Sequence, residues 1–303
     1  MKYCIEKYPI GSIKGQRTPG RYMSEYLHNN LKILAESIVN DMTFLGILFS
    51  STLEVGTGKS VLAQQIGEAW VEQVNKLHGL NLTFTTKNIV FRPKDLIERA
   101  FKLPQYSIII LDEWEDAHYW SELGMSLRQF FRKCRQLNLF MLIIIPNFFQ
   151  LSPAYAISRS VFAIDVKFKE KSNFERGTFD FYNFNKKKEL YILGKRHYNY
   201  GAVSRNFPGT FLDGYTVGDK EYRDAKYQDM VRAEDDRKDK PVDEKQVMRK
   251  VLGKLRKNMP YITLNQWAEG FGLGISTIKR WLVVDREEIG VVLENISPKV
   301  HNN

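Results

Sequence analysis

Several features that define other protein classes are scarce in this 303-residue sequence. Its two cysteines, Cys4 and Cys134, form neither a metal-binding spacing nor a disulfide framework, which excludes zinc-ribbon and disulfide-rich secreted proteins. No apolar run reaches the roughly 18 residues that a membrane span needs. Residues 1–9 carry charges and no sustained apolar core, unlike a signal peptide. These absences predict a cytoplasmic protein with no membrane span.

Negative charge is also in short supply. Lysine and arginine number 45 against 35 aspartate and glutamate, which gives a net charge of +10. Such an excess suits an anionic partner such as nucleic acid, because neutralised phosphates release counterions. Charge that only keeps the protein in solution explains the composition equally well. The positions of the basic residues must decide between these interpretations.

The residues around position 56 have the form of a phosphate-binding loop. An apolar run, Phe44–Phe49, precedes Leu53–Ser60, and apolar residues at helical spacing follow it. A strand, a Gly-rich turn and a helix start in this order direct backbone N–H groups at phosphate oxygens. Gly56 and Gly58 are free to adopt positive φ. The predicted nucleotide-binding residues are Val55, Gly56, Thr57, Gly58, Lys59, Ser60 and Val61.

Two residues of this loop depart from the P-loop pattern. Leu53 stands where the first glycine belongs, which puts the tightness of the entry turn in question. Glu54 adds a negative charge to a loop that should hold anions. We expect that charge to be tolerated only if the Glu54 side chain faces solvent.

A second apolar run ends in two acidic residues. Tyr106–Leu111 is short and continuous and is followed by Asp112 and Glu113, the form of a Walker B strand. A carboxylate there holds the Mg²⁺ shell beside the Ser60 hydroxyl, and the next one polarises the attacking water. The prediction is therefore Mg²⁺ on Ser60 and Asp112, with Lys59 and Glu113 catalytic and ATP as the nucleotide.

The rest of this region alternates between strand and helix patterns. Helical spacing covers roughly residues 24–39, short strands are predicted at Leu82–Phe84 and Asn88–Phe91, and a helix at Pro93–Phe101. Such alternation predicts an α/β fold with a mostly parallel sheet that is covered on both faces.

Three further residues are candidates for completing the reaction. Asn147 follows the strand Leu139–Ile145 and could sense the γ-phosphate, although a turn-forming asparagine is nearly as good an interpretation. Arg132 lies on a basic helix predicted over 123–136, and Arg159 precedes the next strand. Either could be an arginine finger that reaches a neighbour's nucleotide, or a solvated side chain.

Together these motifs resemble the FtsK/HerA-type P-loop ATPases, which include DNA translocases, viral packaging enzymes and the zonula-occludens-toxin-like proteins of filamentous phages. The resemblance rests on Gly56–Ser60, Ile110–Glu113, Leu142–Asn147 and Ile157–Ser160. It implies a RecA-like core, assembly of a homo-oligomeric ring, hydrolysis of Mg-ATP and movement of DNA. These enzymes mostly carry glutamine where this sequence has Asn147.

The second half of the chain is less regular. Runs at Phe179–Phe184 and Glu189–Leu193 flank Asn185–Lys188 and predict a hairpin with a basic tip. Mixed charge over 219–258 predicts a solvated linker, helical near 247–255. The predicted divisions are an N-terminal arm and helix (1–39), an ATPase domain (40–218), a charged linker or helix (219–258) and a helix-turn-helix domain (259–303).

The last of these divisions rests on the pattern of residues 264–282. Trp267 lies on a short predicted helix, a Gly-containing turn follows, and a second helix has Ile278 on its inner face. The residues predicted to face DNA are Ser276, Thr277, Lys279 and Arg280. A small helical packing unit is the alternative.

Two hypotheses about function follow. The first is an ATP-driven motor that translocates or remodels DNA, for example in packaging or processing a viral or mobile genome. The second is a DNA-binding protein that is not a motor and whose assembly ATP switches, as in regulators of transposition or replication initiation.

Overall fold

The computed structural model of the protein describes residues 23–114, 122–170, 174–238 and 262–279. The chain divides into two compact units, the first ending at Met230 and the second beginning at Val231. The first unit has an α/β fold built on a seven-stranded, mostly parallel sheet. Within the described ranges, no helix combines the length and the apolar character that crossing a bilayer requires.

The strands are β1 (Phe44–Phe49), β2 (Ile89–Val90), β3 (Ile108–Leu111), β4 (Phe140–Ile144), β5 (Phe162–Glu170), β6 (Glu175–Asn183) and β7 (Phe207–Thr210). The main helices of the described residues are α1 (Glu25–Ser37), α2 (Lys59–His78), α3 (Pro93–Lys102), α4 (Glu122–Lys133), α5 (Phe184–Gly194), α6 (Asp219–Lys238) and α7 (Leu264–Gly270).

The strand order is β2-β3-β4-β1-β5-β6-β7. The strands from β2 to β5 pair in parallel, and β6 and β7 add antiparallel pairs at one side. Because parallel strands end at the same edge of a sheet, the loops that follow β1, β3 and β4 meet there. Strand β4 lies between β1 and β3, so any contact between the loops after β1 and β3 must cross its end.

Strand β1 is buried on both faces. Leu45, Ile47 and Phe49 pack in the core on one side of the sheet, whereas Phe44 and Leu48 pack in the core on the other. A continuous apolar run, without alternation, is what a parallel strand needs when both faces are covered. The prediction of a two-sided α/β sheet is confirmed.

Two predicted strands, at residues 82–84 and 189–193, are not strands in the structure, which describes both segments. Residues 82–84 are irregular, because the side-chain amide of Asn75 takes the place of a neighbouring strand: it accepts from Leu82 N at 2.8 Å and donates to Leu82 O at 2.9 Å. The predicted hairpin with a basic tip is also wrong. Strand β6 runs to Asn183, whose side chain accepts from Lys186 N at 3.0 Å and starts helix α5.

The region predicted as a charged linker begins as a helix that packs on the first unit. Helix α6 starts at Asp219, and the first compact unit extends to Met230. The side chain of Tyr222 is buried in the core on one side of the sheet. The predicted helix near 247–255 lies outside the described residues.

In the second unit, α7 is a short capped helix. Thr263 and Gln266 form a capping box at its start, with Thr263 Oγ1 accepting from Gln266 N at 3.3 Å. A turn follows, and residues 275–279 are helical. Trp267, Ala268 and Ile278 form a small apolar cluster between them.

Candidate functional site

The loop that follows β1 lies at the carboxyl edge of the parallel strands and has the backbone of an anion site. Gly56 and Gly58 adopt φ values of 86° and 96°, in the region that favours glycine. Helix α2 starts at Lys59, and no side chain of the described residues caps it. Its first N–H groups therefore point toward the loop, where an anion would satisfy them.

The entry turn forms without its glycine. Leu53 itself adopts a left-handed φ of 56°, and its N–H donates to Ser50 O at 3.2 Å. A carboxylate also stabilises this turn: Asp165, on β5 beside Phe49, accepts from Ser51 N at 2.7 Å. Burial raises the pKa of Asp165, and Lys167, 3.0 Å away, opposes this rise. The turn therefore forms with a leucine in the left-handed region that favours glycine.

Glu54 does not meet the expectation that its carboxylate faces solvent. The residue is half-buried, and its Oε2 is buried with no hydrogen-bond partner among the described residues. It lines the same cavity as the two loop glycines. The loop thus carries one negative charge inside the space that an anion would enter.

The two predicted magnesium ligands meet across the end of β4. Ser60 Oγ donates to Asp112 Oδ1 at 3.0 Å, although the residues are 52 positions apart. Asp112 directly follows β3, and its N–H donates to Val90 O at 2.8 Å. The carboxyl group is only 1% exposed, and burial raises its pKa against the opposing effects of Lys226, Tyr222 and Ser60.

This pair fits magnesium better than a metal that needs a full protein cage. Mg²⁺ is usually held by one or two carboxylates together with substrate phosphates and water. Among the described residues, no group of three His, Cys, Asp or Glu side chains could hold a metal. A hydroxyl and one carboxylate beside a loop with this backbone match the donor set of Mg²⁺ bound to phosphates.

Lys59 and Glu113, two of the residues predicted to be catalytic, are the sequence neighbours of this pair. Lys59 is half-buried, with Nζ 3.5 Å from Thr57 Oγ1. Burial lowers its pKa, and the carboxylates of Asp112, Asp165 and Glu113 oppose that decrease. Glu113 has a left-handed φ of 70° and a side chain that is 66% exposed. Such a backbone is uncommon at a non-glycine residue.

A cavity of about 520 Å³ joins these groups, within the range of small-molecule sites. Besides the loop and the two carboxylates, residues from the second half of the chain line it: Arg176, Tyr215, Tyr222, Arg223 and Lys226. None of these was predicted, since they come from β6, from α6 and from the loop before α6, far from the motifs in sequence.

Three of these additions, Arg176, Tyr222 and Lys226, contact the predicted residues directly, and the Tyr222 hydroxyl donates to Asp112 Oδ2. Arg176 Nε donates to Gly56 O at 2.6 Å, and its Nη1 donates to Asp213 Oδ1 at 3.1 Å. On α6, Lys226 donates to Glu113. The cavity therefore brings positive charge from two separate elements to the loop and to the second carboxylate.

Comparisons with protein families, with curated proteins and with solved structures give no match to this chain. The functional assignment depends on the geometry of the site.

Asn147 lies at the end of β4 but is committed to a turn. Its Oδ1 accepts from Phe149 N at 2.9 Å and from the Tyr200 hydroxyl at 2.8 Å. It is not among the described residues that line the cavity, although Pro146 is. The turn-forming interpretation accounts for these contacts, and a role in sensing is left as a prediction.

The two arginine-finger candidates lie away from the cavity of their own chain. Arg132 is exposed on α4. Arg159 is exposed and lines a different cavity with Phe44 and Leu45, at the amino end of β1. Contact with a nucleotide would therefore require a second copy of the chain.

The predicted DNA-facing residues that the structure describes differ in how far they are exposed to solvent. Ser276 and Lys279 are exposed and Thr277 is half-buried, on the helical residues 275–279. Arg280 lies outside the described residues.

Proposed function

We propose that this protein is a P-loop ATPase of the FtsK/HerA type with a RecA-like core, which hydrolyses Mg-ATP to translocate or remodel DNA. The observation that carries the proposal is the 3.0 Å contact between Ser60 and Asp112. Two motifs 52 positions apart meet at the carboxyl edge of a mostly parallel sheet, where such folds bind their ligands.

The residues at the start of α2 and at the end of β3 have defined parts in this proposal. The N–H groups at the start of α2 and the Lys59 ammonium bind the phosphates, while Ser60 and Asp112 hold Mg²⁺. Bound there, Mg²⁺ would neutralise the charge that develops on the phosphates. Glu113 orients and polarises the attacking water, which requires its carboxylate to leave Lys226.

Nucleotide turnover tests the enzymatic part. Steady-state ATP hydrolysis by the full chain is expected to fall by about a hundredfold or more in Glu113→Gln, because a general base contributes on the order of 10²–10⁴. The matched control is Glu98→Gln, which changes an exposed glutamate on α3 that pairs with Lys102. Calorimetric binding of ATP should survive in both variants. If the wild-type protein binds ATP tightly but does not hydrolyse it, the hypothesis of an ATP-driven motor is rejected.

That last outcome is the one the alternative function expects. A DNA-binding protein whose assembly is switched by ATP needs the nucleotide but not its hydrolysis. Two contacts favour it: Glu113 is ion-paired with Lys226, and the Asn147 amide oxygen is taken up by Phe149 and Tyr200. Stimulation of turnover by duplex DNA would separate the motor from this alternative.

The DNA-binding part is proposed from the second unit. Exposed Ser276 and Lys279 on a helix that follows a turn support a helix-turn-helix, and the net charge of +10 supports an anionic partner. Fluorescence anisotropy with a labelled duplex should show weaker binding by Lys279→Ala and a smaller dependence on salt. The control, Lys32→Ala, changes an exposed lysine on α1. Equal affinities of both variants and the wild type for the duplex would contradict DNA binding by the helix-turn-helix.

Ring assembly is proposed from the placement of the arginines. Since Arg132 and Arg159 are exposed and do not line the cavity, a finger at either position would have to act on a neighbouring copy. Sedimentation velocity with and without a non-hydrolysable ATP analogue should show a larger assembly with nucleotide. A monomer under both conditions would exclude a finger acting in trans.

A further inference from the structure

Helix α6 lies across the candidate site, although the charge of its sequence is typical of a linker. Its first three turns contact the ends of β2 and β3 and the segments beside them through four side chains spaced along one side. The contacts are Thr86 with Glu221 (3.0 Å), Asp112 with Tyr222, Glu113 with Lys226, and Arg92 with Asp229 (2.9 Å). Two successive carboxylates of the Walker B segment are thus bound by two residues one helical turn apart.

The position of the Tyr222 hydroxyl is fixed by packing. The side chain is 4% exposed. Its ring stacks on Tyr215 with centroids 4.8 Å apart and lies 5.9 Å from Phe91. A ring held on two sides keeps one rotamer, so the hydroxyl is directed at Asp112 before any ligand arrives.

The two oxygens of Asp112 have different partners. Oδ1 accepts from Ser60 at 3.0 Å, on the side of the phosphate-binding loop. Oδ2 accepts from the Tyr222 hydroxyl. The tyrosine therefore leaves the oxygen that faces Ser60 to the metal and orients the carboxylate through the other one. Carboxylates that hold metals are commonly oriented in this way by a second hydrogen bond.

We propose that α6 is a component of the metal–nucleotide site and that Tyr222 is a positioning residue for the Mg²⁺ carboxylate Asp112. This rests on the proposed function of the loop. Packing alone would be served by phenylalanine at position 222. The hydroxyl adds a donor to a buried carboxylate whose Oδ2 has no other hydrogen-bond donor among residues 23–114, 122–170, 174–238 and 262–279.

The experiment compares nucleotide binding in EDTA with binding in saturating Mg²⁺. Affinity of the full chain for the non-hydrolysable analogue AMP-PNP is measured by calorimetry under both conditions. The dissociation constant in EDTA divided by the dissociation constant in Mg²⁺ gives the factor by which the metal tightens binding. In Tyr222→Phe this ratio should fall by about tenfold, the lower end of the effect of removing a partner of a metal ligand, while the affinity in EDTA is unchanged. Tyr227→Phe, an exposed tyrosine on the same helix, is the control.

The outcomes separate this inference from the proposed function. If the wild type does not bind AMP-PNP, or binds it without metal dependence, the proposed function fails first. If the wild type shows the tightening and Tyr222→Phe keeps it within twofold or increases it, the positioning role is refuted. Equal losses in EDTA and in Mg²⁺ also refute it, since they are what a structural role alone would give.

Discussion

Replacing Arg176 with alanine should weaken nucleotide binding although no motif contains this residue. Its Nε donates to Gly56 O at 2.6 Å. The Cδ atom lies 3.3 Å from where a Cβ on Gly58 would be, so the arginine side chain covers both glycines of the loop. The side chain thus fixes the backbone that must approach the phosphates.

The expected size follows from the two polar contacts. A hydrogen bond from a charged donor contributes about 1.5–3 kcal/mol, and since this side chain is 32% exposed the lower figure is appropriate. The ion pair with Asp213, whose side chain is half-exposed, adds about 0–1 kcal/mol. Together they predict a loss of about 1.5–2.5 kcal/mol in the bound state, which corresponds to a dissociation constant that is roughly 10- to 60-fold weaker.

Calorimetry with AMP-PNP and Mg²⁺ measures this directly, and two controls isolate the contact with the loop. Arg205→Ala removes an arginine that pairs with Asp180 at 2.9 Å. Asp213→Ala removes the partner of the Arg176 ion pair and keeps the Arg176 donor to Gly56 O. Both should stay within about threefold of the wild type, since neither touches Gly56. An Arg176→Ala variant within twofold of the wild type, or an equal loss in Asp213→Ala, would refute the role of the Gly56 contact.

Three further predictions concern the loop and the core. Leu53→Gly should change AMP-PNP affinity by less than about threefold, because Leu53 already has the left-handed φ of 56° that glycine would adopt; a larger change would mean that the side chain matters. Gly46→Ala should lower the free energy of unfolding by about 1–3 kcal/mol in urea titrations, since a Cβ would lie 2.5 Å from the ring of Phe162; an unchanged midpoint would contradict this. Burial lowers the pKa of Lys187 to about 8 from 10.5, so the unfolded chain binds the extra proton between these values. As pH rises from about 8 to 10.5, the free energy of unfolding of the wild type should therefore increase by up to about 3 kcal/mol relative to that of Lys187→Met. Urea titrations at several pH values measure this, and a constant difference between the two proteins would exclude a lowered pKa of Lys187.

The parts of the fold that could be predicted from sequence are those that local patterns determine. The continuous apolar run Phe44–Phe49 indicates a strand buried on both faces, and the residues after Gly58 indicate a helix. The contact between Ser60 and Asp112 could be anticipated because parallel strands end at one edge. Each of these depends on a short segment and one rule of sheet topology.

The parts that could not be predicted depend on distant partners. Tyr222 reaches Asp112 from 110 positions away, and Arg176 reaches Gly56 from 120. A charged, apolar-poor segment such as α6 has no pattern that distinguishes a solvated helix from one that packs on a site. The hairpin error has a local cause: a cap at Asn183 starts a helix whose Lys187 is buried against backbone carbonyls.

The entry turn forms with a leucine at the position where the P-loop pattern has a glycine. Sequence patterns specify a residue, whereas the fold selects a dihedral angle, and here Leu53 supplies that angle at a cost of about 1–2 kcal/mol. The support comes from Asp165, on a strand more than a hundred residues along the chain. Searches for loops of this kind would therefore gain from testing whether a carboxylate faces the turn from the neighbouring strand, and not only which residue begins the motif.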